Sequence, residues 1–197
     1  KVTPYASGSD LFLNVEQVIP TPESKEFMVG MAVKEAEEKT ASDEIRQSHR
    51  LRLKFWEQAL DQLRRSECRL YDNISPAKDH WLASATGISS VTYNMIFGKK
   101  EIRVELSLQR SNAEENRFLF DELESQKAKI EQAFGDQLNW LALPERKACR
   151  IQYAKAVDGY DEQNWPSMID WLTKQIMRLQ AAVREPLQRA GENLKAR

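Results

Sequence analysis

Glycine is scarce in this chain, with seven in 197 residues, and none of them stands at the spacing of a phosphate loop or a dinucleotide-binding turn. Nucleotide binding through either device is excluded. Histidine and cysteine number two each, and His49, His80, Cys68 and Cys149 are too scattered to supply a tetrahedral metal site. No metal and no cofactor are expected. The two separated cysteines fit no disulfide framework and read as reduced thiols of a cytoplasmic protein. No apolar run approaches the roughly 18 residues of a membrane span, and the N-terminus has no signal-peptide core. Net charge is also missing: 29 basic residues stand against 30 acidic ones, so no whole-molecule field draws the chain to nucleic acid or anionic lipid. Any such contact must come from a local patch.

What is present is a core. Hydrophobic residues make up 41% of the chain, with five Trp and seven Phe, enough for one ordinary domain plus an appendage. The clearest passage runs from Val91 to Trp140. Glu101 to Gln109 alternates strictly, placing Ile102, Val104, Leu106 and Leu108 on one face of a strand and Glu101, Arg103, Glu105, Ser107 and Gln109 on the other. Ser111-Asn112-Ala113-Glu114 reads as a capping box opening a helix with Leu119, Phe120, Leu123, Ile130 and Phe134 on its buried side, closed by Gly135.

The flanks extend this pattern. Lys1 to Tyr5 and Leu11 to Pro20 read as a hairpin turned at Gly8-Ser9-Asp10, expected to close a larger upstream sheet or, failing that, to pair with the sheet downstream. Residues 21–42 read as a linker, helical in its second half. From Asp43 an amphipathic helix is expected to about Ser66, with Ile45, His49, Leu53, Trp56, Leu60 and Leu63 inward. His80 to Ala85 and Ser90 to Phe97 read as strands, the second turning at Gly98-Lys99-Lys100 into the strand at Glu101. Gln137 to Leu143 and Lys147 to Ala156 add two more about a turn at Pro144. A last helix opens near Trp165-Pro166, stops at Pro186 and leaves 188–197 as a frayed polar tail.

The fold class implied by this order is α+β: a two-layer sandwich with a mainly antiparallel sheet of about five strands covered by three helices, preceded by the hairpin and linker. The division is 1–20 hairpin, 21–42 linker, 43–187 main domain and 188–197 tail. One sheet face is then core, and the other carries Thr92, Asn94, Arg103, Glu105, Arg150 and Gln152, open either to a partner or to water.

Catalytic constellations are thin. Asp79 and His80 with Ser75 or Ser84 have the residue types of a hydrolytic triad but no nucleophile elbow, and neighbours on a strand point apart. Glu101 and Glu105 would stand about 13 Å apart at strand rise, long for acid and base work, and read as surface charges. An active site on the polar face would require a concavity around Asn94, Arg103, Glu105 and Arg150. For nucleic acid the candidates are Arg46, Arg50 and Lys54, four residues apart on the first helix, and Lys99 and Lys100 beside Arg103. Glu57 and Asp61 continue the first stripe with the opposite sign, as an ordinary solvated helix face also would.

Several passages together resemble the family catalogued as domain of unknown function 4268. They are LRLKFWEQAL from Leu51, NISPAKDHWL from Asn73, RVELSLQRSNAEENRFLFDEL from Arg103, GDQLNW from Gly135, KACRIQY from Lys147 and WPSMIDWL from Trp165. The resemblance implies an accessory module downstream of a domain similar to PD-(D/E)XK nucleases, and Pro4 to Pro20 looks like that domain's closing hairpin. The metal-holding signature of such nucleases is not found in this chain, so no catalytic residue carries over. Three readings stay open: a module that recognises DNA or RNA, dimerises or positions the nuclease-like domain; a protein-interaction or homodimerisation domain without nucleic-acid contact; and an enzyme with its site on the polar sheet face.

Overall fold

The computed structural model describes residues 2–8, 10–15, 22–143 and 147–197. These fall into two units, Lys1–Ser48 and His49–Arg197.

In the first unit, β1 (Val2–Ser7) and β2 (Asp10–Val15) pair antiparallel in a two-stranded sheet of their own, with Val2 opposite Val15 and Ser7 opposite Asp10. Gly8 takes a positive φ of 67°, as a tight reversal demands. Ser9 and the stretch 16–21, into which the second strand was expected to run, lie outside the described residues. The helix expected in the second half of the linker is present and begins earlier, for α1 is continuous from Pro22 to Arg65 over 44 residues. Proline at the first helical position forfeits no hydrogen bond, and Gly30 costs only about 1 kcal/mol inside a helix, so neither residue breaks it. Ile45, expected on the buried stripe, is 55% exposed.

The second unit holds the core. Phe55, Trp56, Ala59, Leu60 and Leu63 of α1 are buried, whereas His49 and Leu53 are half-buried. Phe55, outside the expected stripe, stacks on Phe97 at 4.0 Å and meets Trp165 edge-on at 5.4 Å. The sheet comprises β3 (Trp81–Ala85), β4 (Val91–Phe97), β5 (Glu101–Leu108), β6 (Asn139–Leu141) and β7 (Cys149–Ala156). Its order is β3-β4-β5-β7-β6 and every neighbouring pair is antiparallel. Val91, Tyr93, Met95 and Phe97 of β4, with Ile102, Val104, Leu106 and Leu108 of β5, face the helices and are all but inaccessible. Pro144 lies outside the described residues.

One expected helix after β5 is two, α2 (Ala113–Glu124) and α3 (Lys127–Phe134). Ser125 Oγ and Gln126 Nε2 both donate to the Glu122 carbonyl, competing with the helical ladder, and Gln126 leaves helical geometry at φ −110°. The cap is Asn112, not Ser111: its side chain accepts from the Glu114 amide at 2.8 Å. Gly135 closes α3 with φ 84°, and a Cβ there would lie 2.7 Å from Arg178 Nη2.

The last helix, α4, runs from Trp165 to Lys195 through Pro186, so the helix does not stop there and the tail is not frayed. An internal proline removes one hydrogen bond and crowds the preceding turn, at about 3 kcal/mol. Burial of Leu187 and Ala190 opposes that, and Asn193 Nδ2 donates to Glu122 Oε2 of α2 at 2.9 Å. The architecture is an α+β sandwich of a five-stranded antiparallel sheet and four helices.

Candidate functional site

Strand register decides what the polar face of the sheet brings together. Ala83, Asn94, Glu105, Gln152 and Asn139 stand abreast across five strands, and Ala85, Thr92, Ser107, Arg150 and Leu141 form the next row. On the other side Trp81, Ile96 and Arg103 make a third row. A strand's alternation sends all of these to the face away from the core. The face is not flat. A cavity of about 450 Å³ opens on it, lined among others by Asn94, Arg103, Glu105 and Arg150, the residues named from sequence as sheet-face candidates. His80, Trp81, Ala83, Thr92, Ile96 and Gln109 line the rest of it.

At its centre is Glu105. Expected as a surface charge, its side chain is only 3% exposed. The reason lies in its neighbours, because long arginine side chains from the same strand and the next one lie over it. Arg103 Nε donates to Glu105 Oε2 at 2.9 Å, and Arg103 Nη1 donates to Glu101 Oε1 at 2.6 Å. Arg150 Nε lies 3.1 Å from the same Glu105 oxygen, an ion pair without hydrogen-bond alignment. Asn94 Nδ2 donates to Glu105 Oε1 at 3.1 Å. Burial works against the charge on Arg103, but its bonds to Glu105 and Glu101 outweigh burial and hold the guanidinium above its ordinary value.

The polar groups are not all satisfied. Asn94 Oδ1, Ser107 Oγ, Gln152 Oε1 and Arg150 Nε are buried atoms without a hydrogen-bond partner, all on this face around Glu105. Each of the three neutral groups costs on the order of 1–3 kcal/mol unless a ligand or water supplies a partner, whereas Arg150 Nε keeps its ion pair with Glu105. The rim adds an aromatic surface: Trp81 is 42% exposed on an edge strand and meets His80 edge-on at 4.8 Å. Partial burial, and then the charges of Arg52 and Arg103, push the His80 imidazole below its ordinary value.

Glu105 has both oxygens occupied by donors, and no group of three or more His, Cys, Asp or Glu among the described residues could hold a metal ion. Ser84, a triad candidate by residue type, is buried and donates to the Leu70 carbonyl.

The candidate basic residues are arranged otherwise. Arg46 Nη1 lies 3.6 Å from Asp43 Oδ1, Arg50 is exposed, and Lys54 is bonded to Glu162 with its Nζ 5.6 Å from the Trp165 ring centre. Lys99 and Lys100 are exposed at the β4–β5 turn, where their carbonyls accept from the amides of Gly159 at 2.9 Å and Val157 at 3.1 Å. Arg103 is turned away from them to its two glutamates. Sequence reasoning does not single out Trp81 or Gln109 as site residues. The signal for Trp81 is its place two residues before Ala83 on the same strand side.

Cys68 and Cys149 are free and buried. No helix among the described residues is long and apolar enough to cross a membrane. A family model described as "Domain of unknown function (DUF4268)" matches residues 51–187. No curated protein and no solved structure matches the chain.

Proposed function

Since the chain belongs to the DUF4268 family, we propose that it is the accessory recognition module of a larger, nuclease-like protein and binds nucleic acid without cutting it. The observation that carries this reading is the recess around Glu105, a built cavity whose buried polar atoms lack partners while its carboxylate is clamped by arginine. A catalytic carboxylate needs room to exchange a proton; a clamped one serves to position the arginines that hold it. The upstream nuclease-like domain rests on the likeness of Pro4 to Pro20 to a closing hairpin. An intact acid, acid-x-Lys motif in the sequence preceding Lys1 tests that part.

The recognition itself is tested by titrating labelled DNA and RNA with the chain at rising salt. The recess is charge-balanced, so binding through it falls only shallowly with salt, whereas binding through Arg46, Arg50 and Lys54 falls steeply and is lost when all three are replaced by Gln. No binding to any nucleic acid, together with a dimer that persists on dilution, would favour a protein-interaction or homodimerisation domain instead.

A further inference from the structure

We propose that the recess around Glu105 takes an unpaired nucleobase, its face against Trp81 and its edge read by Asn94. This rests on the nucleic-acid reading above and names what that site recognises.

Charge decides first between phosphate and base. Arg103 and Arg150 are matched by Glu105 and Glu101, both within 3.1 Å of a guanidinium nitrogen. A phosphate entering here would meet the Glu105 carboxylate with no cationic excess to offset the repulsion. A neutral polar group meets no such obstacle. The vacant hydrogen-bonding positions then describe its edge. Asn94 is 7% exposed and its Oδ1 has no donor, whereas Arg150 Nε already lies 3.1 Å from Glu105 Oε2. A ligand that satisfies Asn94 must therefore present a donor on the edge it turns to that residue. The edges of the bases do so, and amide and guanidinium side chains are the usual readers of them.

Shape agrees. About 450 Å³ is within the range of small-molecule sites, and the end of the cavity formed by Trp81, Ile96 and Ala83 is apolar enough to receive a planar ring. Trp81 is already exposed to the extent of 42% and steadied by His80, which suits a stacking platform. A base within a duplex has its edge paired and its faces stacked, so only an unpaired or extruded base can enter a recess in a sheet.

The experiment compares four probes by fluorescence anisotropy with the intact chain: a mixed-sequence single-stranded oligonucleotide, the same sequence as duplex, the same strand with abasic positions throughout, and free nucleoside monophosphates as competitors. The single strand is expected to bind best, and the abasic strand and the duplex about ten- to a hundredfold more weakly, the range set by one base stacked on an aromatic ring. Trp81→Ala should weaken the intact strand by a similar factor and leave the abasic strand unchanged, with Trp81→Phe restoring most of the loss. Because Trp81 is partly exposed on an edge strand, its replacement leaves the core in place, and circular dichroism of the variant checks this. A nucleoside monophosphate that competes as well as the strand keeps the base in the recess and makes a free nucleotide its source. Equal affinity for intact and abasic strands, or indifference to Trp81→Ala, overturns the base assignment while nucleic-acid recognition stands. Failure to bind any of the probes overturns both.

Discussion

Asn94 and Glu105 face each other directly across β4 and β5, and the amide of the first donates to the carboxylate of the second at 3.1 Å, in a layer where both are more than nine-tenths buried. That pair is the fixed point of the recess. Removing the carboxylate by Glu105→Ala leaves Arg103 and Arg150 without their shared counter-ion and should destabilise the fold by about 3–5 kcal/mol. Glu101→Ala removes a half-exposed partner of Arg103 and should cost under about 1 kcal/mol. Urea unfolding of the two variants checks the contrast, and equal losses would contradict it.

Asn116 is fully buried at the start of α2 and serves two loops at once. Its Nδ2 donates to the carbonyls of Arg110 and Lys147, both at 2.8 Å, and its Oδ1 accepts from the Arg110 amide at 2.8 Å. Asn116→Ala removes the partner of three backbone groups and leaves a hole at a fully buried position, and should cost about 3 kcal/mol by chemical denaturation, with Asn116→Asp also destabilising because a carboxylate cannot donate.

Two buried phenols make the fold sensitive to alkali. Burial, with smaller contributions from Cys68 and Glu105, raises Tyr71 well above the ordinary phenol value, and burial raises Tyr93 to about 12 against the attraction of Arg184. Both ionise more readily in the unfolded chain, so the stability they contribute is full below about pH 10 and is lost as pH rises through the folded-state values. Phenolate absorbance and circular dichroism should therefore change together in an alkaline titration. Early ionisation of all five tyrosines without loss of ellipticity would contradict it.

Asp136 accepts the Tyr153 hydroxyl at 2.6 Å and the Gln137 amide at 2.8 Å, and these bonds hold its carboxyl below the usual range. The corresponding stability is present above the ordinary carboxylate value and is lost as pH falls through the depressed one. Tyr153→Phe should return the Asp136 titration towards that ordinary value in a carbon-13 NMR experiment, and an unmoved midpoint would show that the phenol is not the cause.

How much of the fold is legible in the sequence varies by element. The alternation of β4 and β5 is strict, so their buried faces and the turn between them can be read directly, and Gly135 announces the end of α3. Helix ends are harder. Pro22, Gly30 and Pro186 are breakers by propensity, yet propensity is worth at most a few kcal/mol and is outweighed at Pro22 by first-turn position and at Pro186 by burial of Leu187 and Ala190. The recess is half-visible: Asn94, Arg103, Glu105 and Arg150 can be assigned to one sheet face, but a polar strand face reads as wet. That Glu105 is buried emerges only from the register, which sets Asn94, Glu105 and Gln152 abreast with Arg103 and Arg150 on either side.

The two thiols have a use of their own. Cys68 lies just beyond α1 and Cys149 at the start of β7, both 3% exposed, and burial raises both above the ordinary thiol value. Neither reacts with an alkylating reagent until its surroundings open, so each acts as a clock for a different fluctuation. Labelling rates at the two positions, followed by mass spectrometry, would report whether the end of α1 and the start of β7 loosen separately or only with the whole domain, from a protein that needs no engineered probe.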